Sequence, residues 1–469
     1  MSHLQPSKKV LLVRPAYSGV YKLFGRPPRD REVRPPLGLL SIAASLRAAG
    51  HQVEVLDGEP DQLEPDEIVA RILRSDPDVL GVTSTTPEIH MAQHIVASAK
   101  AARPRMMTVL GGAHASALPE TTLEATPGLD YLVVGEGEYA MVELIDSRPR
   151  ERILRAAPIE NLDDLPMPAR DLVDGRQYRY AAPGEGLISL DAVETSRGCP
   201  FDCSFCFHLP QPSTRYKSPE RVIDELKHGR QIFNSQMVVF FDDTFTLGRK
   251  RAQTLLQMIR DSGLGLKFHC FTRADTLSAE IVGLMAEARF VKATIGVESG
   301  SQVVLDRIGK GTHLQHYRDA FRWLHQEGIE TRGSFIVGTP HETWQTVKES
   351  IDFARSLDLF RVGVNIATPY PGTRLYEQAL KKDGIELLAT DWRLFCRWGN
   401  SVVRTPAMEA KDIEDAQQIF LTEFYSSPKV VRYHLGRFVH GNHSLYYYRP
   451  VMWSLLWRMR GTTLRRRLA

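Results

Sequence analysis

Thr195-Ser196-Arg197-Gly198-Cys199-Pro200-Phe201-Asp202-Cys203-Ser204-Phe205-Cys206 gathers three of the five cysteines of the chain on one short loop, spaced Cys-x3-Cys-x2-Cys. The loop follows a run at 193–197 that reads as a strand, and further strands are expected at 237–242, 267–273, 291–298, 331–338 and 361–368. Helical periods separate them, the first opening with Ser218 as N-cap, Pro219 and Glu220. Six β/α units in about 180 residues predict a parallel barrel or an open part of one, with its chemistry at the C-terminal mouths of the strands.

Three thiolates on one tight loop can hold three irons of a cubane cluster, and with no fourth cysteine near in sequence one iron stays open to a ligand. Zinc is the alternative, with His208 completing a tetrahedral set, although His208 follows Cys206 by only two residues. Cys270 and Cys396 stand alone and read as small buried hydrophobes.

Upstream, apolar runs at 10–13, 53–56, 79–83, 106–110 and 131–134 alternate with helical periods at 37–46, 65–75 and 88–102, and Gly50 is placed to end the first helix. Strand and helix taking turns predicts a doubly wound parallel sheet, with ligands beyond the carboxyl ends of its strands. Those ends are Thr83-Ser84-Thr85-Thr86, Gly111-Gly112-Ala113-His114 and Gly135-Glu136-Gly137-Glu138, small and polar as a ligand loop requires. The expected fold is therefore α/β, a Rossmann-like sheet domain at 1–150, a proline-containing linker at 151–190, a partial (β/α)6 barrel at 191–390 and a helical, aromatic and basic region at 391–469.

A chain of 469 residues, 43% hydrophobic and 25% charged, is globular rather than disordered. Its longest apolar stretches, 37–46 and 451–457, fall short of the ~18 residues a spanning helix needs. The first ten residues lack the apolar core of a secretory signal, so a cytoplasmic location is expected. Net charge is +3, but from Phe424 onward there is no Asp or Glu, while Lys429, Arg432, Arg437, Arg449, Arg458, Arg460, Arg465, Arg466 and Arg467 are basic. Such a tail seeks anions. Its interleaved Tyr433, Phe438, Tyr446, Tyr447, Tyr448, Trp453 and Trp457 suit a helical lid over the barrel mouth, with peripheral membrane contact as the second reading and nucleic acid set aside for want of a recognition module.

Cys199-x3-Cys203-x-Phe205-Cys206 after a first barrel strand resembles the signature of the radical S-adenosylmethionine enzymes. The resemblance implies a four-iron four-sulfur cluster on Cys199, Cys203 and Cys206, whose open iron chelates S-adenosylmethionine. Reductive cleavage then gives a 5′-deoxyadenosyl radical, with electrons from a reductant such as flavodoxin or ferredoxin. It further implies S-adenosylmethionine contacts at Phe205, Asp242, Asp243, Arg273, Glu298, Ser334 and Gly338. Pro35-Pro36-Leu37-Gly38, Gly111-Gly112-Ala113-His114 and Val134-Gly135-Glu136-Gly137-Glu138 are similar to the cobalamin-binding domain that precedes the radical domain in one subfamily. There the resemblance implies cobalamin contacts at Thr83, Ser84, Thr85, Gly111, Gly112, His114, Gly135 and Glu136. The Asp-x-His-x-x-Gly loop that brings a histidine to cobalt elsewhere is missing, so the resemblance implies no protein histidine on the lower face.

These resemblances imply C-methylation of an unactivated carbon of a small molecule, anionic or lipid-like if the basic tail reports on it. The alternatives are radical cyclisation or rearrangement with the same cofactors, or a cobalamin or redox sensor without turnover.

Overall fold

The computed structural model describes residues 6–17, 32–182, 186–207 and 214–439, together with Tyr448 and Met452. His208 and the tail residues beyond 439, those two apart, lie outside them. The first lobe runs β1 (Lys9–Arg14), α1 (Leu37–Ala48), β2 (Gln52–Asp57), α2 (Pro65–Ser75), β3 (Val79–Thr83), α3 (Ile89–Ala102), β4 (Met107–Gly111), α4 (Ala113–Ala117), α5 (Pro119–Glu124), β5 (Tyr131–Val134), α6 (Gly137–Ser147) and β6 (Ile153–Arg155). Its sheet is parallel throughout, in the order β2-β1-β3-β4-β5-β6.

Side chains alternate across each strand, so β1 sends Leu11 and Val13 into the core under α2 and α3, and Val10 and Leu12 into the core under α1 and α6. The chain winds outward in opposite directions from β1 and β3, and their parted carboxyl ends leave a crevice between them. Gly50, at φ +91°, follows the cap of α1 as expected.

The second lobe comprises β7 (Arg179–Ala182), β8 (Gly186–Val193), β9 (Ser196–Arg197), β10 (Arg215–Tyr216), α7 (Pro219–Phe233), β11 (Met237–Phe240), α8 (Arg249–Asp261), β12 (Lys267–Thr272), α9 (Ala279–Glu287), β13 (Phe290–Glu298), α10 (Gln302–Arg307), α11 (Leu314–Gln326), β14 (Glu330–Val337), α12 (Trp344–Ser356), β15 (Arg361–Ile366), α13 (Arg374–Lys381), β16 (Glu386–Leu387), β17 (Val403–Arg404), α14 (Ala410–Tyr425) and α15 (Pro428–Val439). The order β15-β14-β13-β12-β11-β8-β7 puts six parallel strands in a partial barrel, with β7 antiparallel at one edge. Ser218 caps α7, its Oγ accepting from Arg221 N at 3.1 Å.

Two expectations are corrected. The first barrel strand is Gly186–Val193 rather than 193–197, and Ser196–Arg197 pairs instead with Arg215–Tyr216. Residues 151–190 are not a bare linker: β6 extends the first sheet and β7 forms a hairpin with β8, so the Pro and Gly content reflects tight turns between short strands. The expected lid lies mostly outside the described residues, but its described helix, α15, packs at the end of the barrel away from the mouth. Lys429 Nζ reaches Leu357 O at 2.7 Å, Tyr433 stacks on Phe360 at 3.9 Å and Arg437 pairs with Glu330, all at the N-terminal feet of β14 and β15.

Candidate active site

The cysteine loop is pinned from several sides by the protein's own bonds. Ser204 N donates to Ile308 O at 2.9 Å, Leu375 N donates to Ser204 O at 2.7 Å, and Arg374 reaches Asp202 Oδ2 at 2.5 Å and its carbonyl at 2.7 Å. Gly309, at φ +68°, lets a neighbouring turn approach: a Cβ there would stand 2.8 Å from Asp202 O. Cys206 N closes the turn on Cys203 O at 3.1 Å.

Of the three thiols, Cys203 stands closest to positive charge. Arg273 Nη1 donates to Cys203 Sγ at 3.7 Å, and the same guanidinium lies 3.5 Å over the Phe201 ring. A hydrogen bond from Cys206 lowers the Cys203 thiol to about 7, with Lys310 and Arg273 adding to the effect against burial. The same bond, with burial, raises Cys206, and burial followed by the charge of Asp243 raises Cys199. Among the described residues no three His, Cys, Asp or Glu side chains crowd around a single-ion position. A cube spreads its three thiolates over separate irons, so the donor set fits a cluster whose negative charge Arg273 and Lys310 would offset.

Arg273 is also committed on its other side. It pairs with Asp275 through Nε and Nη2 at 3.0 and 2.9 Å, and Nη2 donates to Lys310 O at 2.7 Å. Glu298 stands in the left-handed region at φ +66°, where the β13–β14 register shifts, and its Oε1 meets Lys310 Nζ at 2.8 Å. Asp242 is buried and occupied by Thr195 Oγ1 and Ser196 Oγ, both at 2.5 Å, whereas Asp243 is exposed and faces the cavity described below. Phe205 packs against the barrel core under Lys310 Nζ at 5.9 Å. Ser334 accepts from Asn365 Nδ2 at 3.2 Å, and Gly338, at φ +82°, donates its N–H to Glu342 Oε2. Lys310 was missed by the sequence reading; its flanking glycines, Gly309 and Gly311, both at φ +68°, are the signal that could have found it.

Opposite the cysteine loop, the carboxyl ends of the first sheet form the other wall of one continuous cavity of about 1050 Å³. This matches or exceeds the ~300–1,000 Å³ of common ligand sites. Thr83, Gly111, Gly112, Gly135 and Glu136 line it, and so do Ser196 through Asp202. The cavity also runs down the α1 and α6 face of the first sheet, past Leu12, Gly81, Val109, Val133 and Met141. The close fit at Gly112, where a Cβ would stand 2.6 Å from Ser84 O, marks a cradle with no room for a side chain.

Ser84, Thr85 and His114 are not brought into that lining. Thr85 bonds Glu88 in a capping box, and His114 packs edge-on to Trp392 at 5.3 Å with Nδ1 3.2 Å from Thr86 Oγ1. Burial pushes the His114 imidazole down to about 4. Glu136 does line the cavity, but its carboxylate is held by Arg215 at 2.8 and 2.9 Å and by Ile159 N at 2.6 Å.

The chain matches the B12 binding domain family over residues 31–145 and the radical SAM superfamily over residues 193–354. It is 33% identical to an uncharacterized methyltransferase of Pyrococcus horikoshii, across 90% of this chain and 94% of that protein. It is 27% identical to the anaerobic magnesium-protoporphyrin IX monomethyl ester cyclase of Rubrivivax gelatinosus, across 79% of this chain and 70% of that protein. Among solved structures, the radical S-adenosylmethionine methyltransferase TsrM from Kitasatospora setae, with cobalamin and a [4Fe-4S] cluster bound, superposes with a TM-score of 0.68 at 18% identity, covering 90% of each chain.

Proposed function

This chain belongs to the radical S-adenosylmethionine enzymes that carry a cobalamin-binding domain, and from that premise we propose that it methylates an unactivated carbon of a small molecule. The observation that carries the reading is the single cavity bounded by the cysteine loop on one wall and the glycine-rich strand ends of the first sheet on the other. When bound, the cluster with S-adenosylmethionine supplies a radical able to take hydrogen from carbon, and cobalamin supplies the methyl group.

The chain's own residues bind, orient and enclose. Cys199, Cys203 and Cys206 would hold the cluster, and Arg273, locked by Asp275, would steady their loop through the Phe201 ring. Asp243, Glu298 with Lys310, Phe205, Ser334 and Gly338 would border S-adenosylmethionine, while the tightly bonded Asp242 would act through Thr195 and Ser196. Thr83, Gly111, Gly112 and Gly135 would face the corrin, and the apolar trough past Leu12 and Met141 would bury its tail. No histidine is among the described residues that line the cavity.

The expectation of an anionic or lipid-like substrate rests on the basic tail in the sequence. A flavodoxin or ferredoxin would supply the electrons. Contact of the basic tail with a membrane rests on sequence alone, and no described helix is long and apolar enough to cross one.

The test is anaerobic reconstitution of the full chain, followed by mass analysis of candidate metabolites incubated with methyl-labelled S-adenosylmethionine. Label appearing in a carbon–methyl product supports methylation. A ring-closed or rearranged product without label overturns it in favour of the cyclase reading, and failure to form 5′-deoxyadenosine despite an intact cluster favours a sensor.

A further inference from the structure

Arg197 precedes Gly198 and Cys199 and so is the root of the cysteine loop, yet its guanidinium reaches into the other lobe. Nη2 meets Glu138 at 2.7 Å and Nη1 meets Glu136 at 3.3 Å, while Nε stays within its own lobe on Glu194 at 2.7 Å. Glu136 and Glu138 begin α6 directly after the β5 loop that lines the cavity. Each is braced a second time: Glu136 by Arg215 at 2.8 Å, on the strand paired with that of Arg197, and Glu138 by Ser41 Oγ at 2.8 Å on α1. The side chain of Arg197 is 15% exposed, and those of Glu136 and Glu138 are 7% and 4% exposed. All three line the cavity. A planar fork with fixed N–H directions can hold three carboxylates at once, and a lysine ammonium cannot reproduce that geometry.

We propose that Arg197 is a positioning residue, a latch that ties the root of the cysteine loop to the corrin-facing loop of the first lobe and so sets the spacing across the shared cavity. The spacing matters because reacting groups held on two lobes lose rate steeply with small misplacements. The assignment of corrin and cluster to the two walls rests on the function proposed above; the latch itself rests on the ion-pair geometry.

The test is hydrogen–deuterium exchange of the full chain without cofactors, comparing the native protein with Arg197→Gln, Arg197→Lys and Glu138→Gln. Arg155→Gln, at the exposed Arg155–Glu120 pair, is the control. A latch predicts reciprocal deprotection. Arg197→Gln speeds exchange of amides 135–139 in the opposite lobe on the order of 100-fold, as expected for a broken buried pair. Glu138→Gln speeds exchange of 196–207, Arg197→Lys falls between, and the control changes neither segment. Deprotection confined to the lobe that carries the substitution overturns the proposal, and Arg197→Lys and Glu138→Gln decide it if Arg197→Gln does not fold. A second readout follows loading: the magnetic interaction between reduced cluster and cob(II)alamin shifts in Arg197→Gln, and an unchanged interaction contradicts the latch. A native chain that takes up no cobalamin would sink the proposed function while leaving the exchange result intact.

Discussion

Gly112 stands at φ +96°, and a Cβ there would press on Ser84 O at 2.6 Å and Thr83 Oγ1 at 2.7 Å. Gly112→Ala is therefore expected to cost about 1–3 kcal/mol in urea unfolding and to weaken cobalamin uptake by the same loop. Equal stability and equal uptake would show that the turn relaxes. Glu342 gives a pH prediction. Burial raises its carboxyl to about 7, although Gly338 N and Thr339 N donate to Oε2, because Oε1 is buried without a partner. The folded protein thus holds a proton that the unfolded chain releases between pH 4.5 and about 7, and stability falls as pH rises through that window. Glu342→Gln should remove that part of the slope, read from urea midpoints across the window. His114 and His434, both pushed down to about 4 by burial, act in the opposite sense and lose stability as pH falls below 6.5. The diagnostic is therefore the difference between native and variant curves, and parallel curves would contradict the assignment.

At the scale of elements, the exposed edge of the partial barrel is closed by side chains rather than by another strand. Tyr425 Oη on α14 accepts from Val362 N at 3.1 Å and donates to Val362 O at 2.9 Å, while Gln417 Nε2 donates to Val364 O at 2.7 Å. An edge strand so covered presents fewer free groups for pairing with another chain. Tyr425→Phe should cost about 1–3 kcal/mol, the penalty of a buried N–H left unpaired, with a lowered urea midpoint as the observable. None of this was legible in the sequence, where α14 read only as part of a helical region. Local periodicity did expose the strand and helix alternation of both lobes and the Ser218 cap. It misplaced β8 by starting at Val193, although Leu187 through Val193 is the more apolar run and is the one that forms the ladder with β11. The gathering of three cysteines on one loop was legible from their spacing. Arg273 and Asp242 carried the right neighbourhood but an incomplete role, since their ties to Asp275, Thr195 and Ser196 depend on how strand ends converge.

At the scale of the molecule, the lobes meet through more than a flexible connection. Ala169 packs into the core beneath α1 and its N–H donates to Leu40 O at 3.0 Å, while the adjacent Arg170 is buried in the second lobe on Asp191 and Glu225 at 3.0 and 3.2 Å. Trp392, from the C-terminal region, packs against the cores of both lobes. Such contacts give the cavity two walls in fixed relation, the condition for one substrate to meet two cofactors. The most direct test is made on the full chain, reconstituted anaerobically with iron, sulfide and cobalamin: metal and corrin content are measured, and the spectrum of the reduced cluster is recorded before and after S-adenosylmethionine is added. The expected result is a four-iron cluster and one corrin per chain, with a spectrum that changes on addition and a cluster that fails to form when Cys199, Cys203 or Cys206 is replaced by Ala. A fully iron-loaded protein whose spectrum ignores S-adenosylmethionine, or a cluster that survives loss of those thiols, would contradict it.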